Sequence, residues 1–137
     1  MVDTAAHVEG PDREIAQAAF AAFNRGDIDA VLELCDPEVV VRDPERTGRT
    51  FRGPDGVREF FEEWLENWQE YRSEPVDFVE SGDGMLVHAK QTGKGKLSGI
   101  EINQDLFIAF RMRDGKFVEY RLYTEREDAI ASLGTAD

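Results

Sequence analysis

The sequence is poor in cysteine, histidine, lysine and proline, and it has no long apolar run. A single cysteine, Cys35, excludes a disulfide within the chain and fits a reducing compartment. Two histidines far apart, His7 and His88, do not make a zinc set with that one thiol. No stretch reaches membrane-spanning length, and Met1 to Gly10 lacks the apolar core and positive flank of a signal peptide. A cytoplasmic protein is expected. Positive charge is scarce as well: 16 basic residues face 29 acidic ones, for a formal charge of -13. Such a field repels phosphate backbones and anionic lipid heads, so neither nucleic acid nor a membrane is an expected partner. The acids are spread along the chain, as on a solubilising surface.

Other signals fail on their context. Gly93-Lys94-Gly95 with Gly99 is followed by no strand-to-helix turn, which a dinucleotide fingerprint requires. The carboxylates lack calcium-loop spacing, and His88 has no nucleophile paired with it at a sharp turn. No metal and no organic cofactor are implied.

What the chain does contain is one domain's worth of patterned apolar sequence. Its 137 residues suffice for a single core without staples. Residues 1–11 read as a flexible tail and 12–134 as the domain. Ile15, Ala18, Ala19, Ala22 and Phe23 recur at helical spacing up to Asn24-Arg25-Gly26. Asp27 caps a second short helix that carries Ile28, Val31, Leu32 and Cys35 and closes at Asp36-Pro37. Val39-Val40-Val41 is a strand, and residues 44–53 are a loop. The third helix is the strongest, with Val57, Phe60, Phe61, Trp64, Leu65 and Trp68 on one face and glutamates on the other.

Beyond Tyr71 the period changes to two. Strands are expected at 72–80, 84–93, 100–112 and 116–124, with hairpin chemistry at Ser81-Gly82-Asp83-Gly84 and Arg113-Asp114-Gly115. A last helix covers 125–133 and stops at Gly134. Helices first and a meander of long strands afterwards define an α+β class. Alternation puts Leu106, Ile108, Phe110 and Met112 on one face, with Val118, Tyr120 and Leu122 on the matching face of the next strand. The opposite faces carry Phe107, Ala109, Phe117 and Tyr123. That much aromatic surface predicts a homodimer through the sheet.

These residues resemble the nuclear-transport-factor-2-like superfamily, in its SnoaL-like and ketosteroid-isomerase-like branch. The resemblance is carried by Ala22-Phe23-Asn24-Arg25-Gly26-Asp27, Val41-Arg42-Asp43-Pro44, Gly56-Val57-Arg58-Glu59-Phe60-Phe61, and the ending Phe110 to Lys116 followed by Tyr123. It implies a cone-shaped α+β barrel, with helices packed on a strongly curved sheet around a pocket for a small apolar organic molecule. The same scaffold serves several chemistries, so the likeness speaks to fold far more than to reaction.

Carried over residue by residue, the isomerase base falls on Asp43. The helix-1 tyrosine of its oxyanion hole falls on Ala19, a supporting tyrosine on Phe61, and its protonated aspartate near Ile108. The nearest carboxylate, Asp105, has the wrong strand parity. A lost oxyanion donor can cost about 2.7–4 kcal/mol of transition-state stabilisation, so ketosteroid isomerisation itself is disfavoured.

The candidate site residues follow. Asp43 is the candidate catalytic base, a carboxylate desolvated by Val39, Val41 and Phe60; the plain alternative is an aspartate that starts the Pro44 turn or pairs with Arg42 or Arg58. Trp64, Trp68 and Phe61 are candidate pocket walls, against ordinary core packing. Tyr120, Gln91 and Gln104 have the inward parity and are candidates for hydrogen bonds to a ligand. His88 has the outward parity. Three functions stay open: cofactor-independent proton transfer or hydration, ligand binding without turnover, and a structural dimer with a vestigial pocket.

Overall fold

A computed structural model describes residues 10–81 and 84–133. Residues 1–9 of the expected tail, the centre of the Gly82-Asp83 turn and the Gly134 stop lie outside the described residues.

The helices form where the apolar period is helical and end where backbone signals stop them. Helix α1 (Pro11–Asn24) starts on Pro11, whose missing N–H costs nothing at a first helical position. Helix α2 (Ile28–Glu33) is capped by the Asp27 carboxylate, which accepts from the Ala30 N–H at 3.1 Å. It ends earlier than the sequence predicts, and Cys35 opens strand β1 (Cys35–Asp43) instead. The expected loop contains a short strand, β2 (Arg49–Arg52), of which only Phe51 is buried.

Helix α3 (Gly53–Leu65) turns Val57 and Phe60 into the core. It stops one turn short of Trp68, which begins strand β3 (Trp68–Ser81), so Trp68 is a strand residue facing β4 (Gly84–Gly95) at Gly95. The helical spacing of Trp64 and Trp68 misleads because both rings belong to one aromatic layer, with centroids 5.6 Å apart. Gly93 leaves room for that layer: a β-carbon there would stand 2.9 Å from the Tyr71 ring.

Strands β5 (Glu101–Arg113) and β6 (Lys116–Tyr123) are joined by a turn in which Asp114 and Gly115 both have positive φ, 54° and 77°, as a two-residue hairpin of the predicted kind needs. The six strands make one open, curved sheet in the order β2-β1-β6-β5-β4-β3. Every neighbouring pair is antiparallel except β1 and β6. Edge strand β3 bends at two irregularities, one beside Pro75, where a residue without an N–H costs no ladder bond.

A bulge opposite Arg111 and Met112 shifts the parity of β6. Phe117, expected on the outer face, is therefore buried on the inner one, while Val118 is only half-buried. Helices α1 and α3 cover the inner face, and the core there includes Ala16, Val41, Val57, Val87, Ile108 and Phe117. On the outer face helix α4 (Arg126–Ser132) sets Ala129, with Leu133 just beyond its end, over Leu86 and Ala109, flanked by Phe107 and Tyr123. Part of the apolar surface that predicted a second copy is thus covered from within the chain. No helix among the described residues is long and apolar enough to cross a membrane.

Candidate functional site

The two covering helices do not fill the hollow of the sheet. A cavity of about 70 Å³ remains, walled by Phe20 and Phe23 of α1, Phe60, Phe61 and Trp64 of α3, and Ile108, Phe110, Phe117 and Tyr120 of the sheet. The rings brace one another, with Phe61 5.4 Å from Phe23 and 6.3 Å from Tyr120, centroid to centroid. Ligand pockets commonly measure about 300–1,000 Å³, so a ring-sized guest needs a wall to yield. Phe23, Phe61 and Trp64 are the half-buried walls, and the others named here are buried.

The positions that carry the isomerase's electrophilic groups, Ala19, Phe61 and Ile108, all line this cavity and are all apolar. Asp105 lies on the outer face, exposed, where it pairs with His88 at 2.8 Å and Lys90 at 3.1 Å. Those two partners hold its carboxyl below the usual range, the His88 bond most strongly. His88 stacks on Phe107 at 4.7 Å and points away from the cavity, as its parity predicts.

Asp43 ends β1 with none of its surface exposed, but it is not part of the cavity wall. Arg46 stands between. Its Nε donates to both Asp43 carboxylate oxygens at 3.4 Å, and its guanidinium carbon lies 3.9 Å from the centre of a Trp64 ring. Arg42 and Arg58, the partners anticipated for Asp43, pair instead with Glu119 and Asp29. The turn carrying Arg46 is pinned twice. The Gly48 N–H donates to the Asp43 carbonyl at 2.8 Å, and the Glu45 carboxylate accepts from the Thr124 N–H at 2.7 Å. Sequence reasoning missed Arg46, and its placement three residues after a buried aspartate was the available signal.

A polar chain forms another part of the wall. The Tyr71 hydroxyl donates to Gln91 Oε1, and Gln91 Nε2 donates to Ser73 Oγ at 2.6 Å. Asn24 closes it: its Nδ2 donates to the Ser73 carbonyl and its Oδ1 accepts from the Ser73 N–H, each at 2.8 Å. Gln91 therefore lines the cavity as anticipated, with both ends of its amide already engaged. Burial pushes the Tyr71 phenol up, opposed by the nearby Trp64 indole and Arg46. The indole N–H groups of Trp64 and Trp68 are buried and make no hydrogen bond within the described residues.

Tyr120 lines the cavity, its oxygen 3.8 Å from Cys35 Sγ. Burial, reinforced by the thiol, pushes its phenol well above the usual value, and burial also raises the Cys35 thiol. Trp68 does not reach the cavity; it backs Trp64 and Tyr71. Gln104 pairs with Gln91 across β4 and β5 but is exposed and does not line the cavity. Among the described residues no cluster of three His, Cys, Asp or Glu side chains could hold a metal ion.

Residues 16–120 match the SnoaL-like domain family. The chain belongs to that family. Its fold is similar to that of TerC, crystallised with polyporic acid, at 27% identity, with 90% of this chain and 98% of that one covered and a TM-score of 0.76. A putative polyketide cyclase from Sinorhizobium meliloti is 25% identical, with 80% and 94% of the two chains covered and a TM-score of 0.68. An NTF2-like protein of unknown function from Burkholderia pseudomallei shares the fold at 23% identity, with 93% and 100% covered and a TM-score of 0.77. No curated protein sequence matches the chain.

Proposed function

We propose that the chain is a small-molecule-binding SnoaL-like protein whose guest is an apolar, ring-bearing compound. The observation that carries this reading is the hollow between helices and sheet with its aromatic wall, broken by few polar groups. Support also comes from TerC, crystallised with polyporic acid. Asp43 serves in this reading to position Arg46, since it is sealed off from the guest. The test is tryptophan fluorescence with thermal shift across apolar aromatic compounds, polyporic acid among them. Saturable quenching and a raised melting temperature are expected; a melting temperature unmoved by every compound would refute the reading.

A second reading, proton transfer with Asp43 as base on a cyclic or carbonyl substrate, is favoured by one observation. The carboxylate is wholly buried, and Arg46 is its only side-chain partner among the described residues, at the long distance of 3.4 Å. A guest that draws Arg46 away frees a desolvated base. Deuterium exchange at the α-carbon of cyclic ketones, followed by proton NMR in heavy water, tests it. Exchange by the wild type that is lost in Asp43→Asn is expected, and no exchange by the wild type sinks it.

The same reading takes the protein as cytoplasmic and as a homodimer through the outer sheet face, where Phe107 and Tyr123 remain half-buried beside α4. A monomer mass in light scattering at micromolar concentration would reject the dimer.

A further inference from the structure

We infer that the pocket selects organic acids, with Arg46 as the residue that recognises the ligand's carboxylate or enolate oxygen. The inference rests on the pocket being a ligand site and names the class of ligand.

Four observations carry it. Arg46 supplies the cavity lining's one charged side chain, and it does so inside a protein of formal charge -13, whose outer field repels anions. Without a positive point at the wall, an anionic guest would meet aromatic rings, a few neutral polar groups already bonded to one another, and acidic surroundings. The guanidinium is also held in place before any ligand arrives, stacked 3.9 Å over Trp64 and tethered to Asp43, with 14% of its side-chain surface exposed. A fixed, poorly hydrated cation loses little freedom and little water when an anion docks.

The tether also leaves the recognition face available. Both bonds to Asp43 come from Nε, so the terminal amino groups, which grip a carboxylate in two-pronged fashion, are not spent on Asp43. Their neighbour in the cavity wall is the neutral Tyr71 hydroxyl, which an anionic oxygen can displace. The buried Trp64 indole N–H beside it makes no well-formed hydrogen bond among the described residues, with the Tyr71 hydroxyl as its polar neighbour, and a ligand oxygen would give it a better acceptor. The ring of such a ligand then lies among Phe23, Phe61 and Tyr120.

The experiment uses benzoate and benzamide, which have nearly the same shape and differ in charge at neutral pH, titrated by tryptophan fluorescence with naphthalene as a neutral, purely apolar control. The wild type is expected to bind benzoate at least about ten-fold more tightly than benzamide, as a charge-assisted hydrogen bond allows. Arg46→Lys keeps the charge but loses the planar fork, and should retain part of that preference. Arg46→Gln alone strands a buried carboxylate and risks unfolding, so the deciding variant is Arg46→Gln combined with Asp43→Asn. It is expected to bind the two probes alike. Equal affinities in the wild type, or a preference that survives in the double variant, would overturn the inference while leaving the pocket reading intact. If benzoate, benzamide and naphthalene all fail to bind, the pocket reading itself falls, and the acid selectivity falls with it.

Discussion

Asn24 is the side chain whose removal should separate packing from hydrogen bonding most cleanly. It sits at the end of α1 and grips the Ser73 backbone from both sides, at 2.8 Å each way. β3 is an edge of the sheet, so at Ser73 the groups facing away from β4 have no strand to pair with. Asn24 takes the place of that missing strand. Ser73 is 5% exposed, which leaves little room for water to replace the amide.

Asn24→Ala removes two neutral hydrogen bonds, about 1 kcal/mol net each, and strands a buried donor and acceptor, so a loss of about 2–4 kcal/mol is expected. Better helix propensity returns roughly half a kcal/mol and does not change the sign. For a domain of this size that is a fall of about 8–14 °C in melting temperature. Asn24→Asp keeps the acceptor for the Ser73 N–H but sets a carboxylate against the Ser73 carbonyl, and should recover little. Urea unfolding followed by far-ultraviolet circular dichroism measures the loss. A change below about 0.5 kcal/mol with an unaltered denaturant slope would refute the idea that this amide satisfies the sheet edge.

Three further outcomes are expected. Burial works to raise the Glu119 carboxyl, but the bonds from Arg42, Arg121 and Arg111 outweigh it and hold the group below its ordinary value. Its folded pKa is thus below its unfolded one, so this stability is present above about pH 4.3 and lost as the pH falls through the folded value; Glu119→Gln should flatten the acid limb of stability against pH, and an unchanged limb would count against the cluster. Gly84→Ala would place a β-carbon 2.5 Å from the Phe110 carbonyl oxygen and 2.6 Å from a Leu133 methyl. It should cost about 1–3 kcal/mol in thermal unfolding rather than bring the gain that replacing a strand glycine usually gives. Phe61→Ala should lower stability by about 2 kcal/mol, less than a fully buried ring would, yet tighten binding of single-ring compounds by enlarging the cavity; weaker binding would contradict the account of Phe61 as the yielding wall.

The parts of this structure that were legible in the sequence are those where one residue's character decides one feature. The stripe from Val57 to Trp64 makes α3, Asp114-Gly115 makes the hairpin, and alternation along β4 sends Gln91 inward and His88 outward. Features that depend on a partner were hidden. β2 has one buried residue in four, so no period announces it; it exists because β1 offers an edge. The bulge that turns Phe117 inward is a property of the pairing with β5, and nothing in the alternation of β6 reveals it. Trp68 matched the helical spacing because the same ring layer attracts it from a strand. Asp43 was legible as a buried acid, whereas the role of Arg46 required knowing which way a five-residue turn folds back.

The parallel seam between β1 and β6 has a consequence for assembly. Val41 meets Tyr120, so the central join of the sheet links an early segment of the chain to one of its last strands. During synthesis, β1 with α3 on one side and the β3-β4-β5 meander on the other must wait, each with an apolar face uncovered, until β6 emerges to bridge them. Joining them closes a long loop, which carries an entropic cost that local pairing does not. A truncation before Lys116 would thus leave two half-walls with no hollow between them.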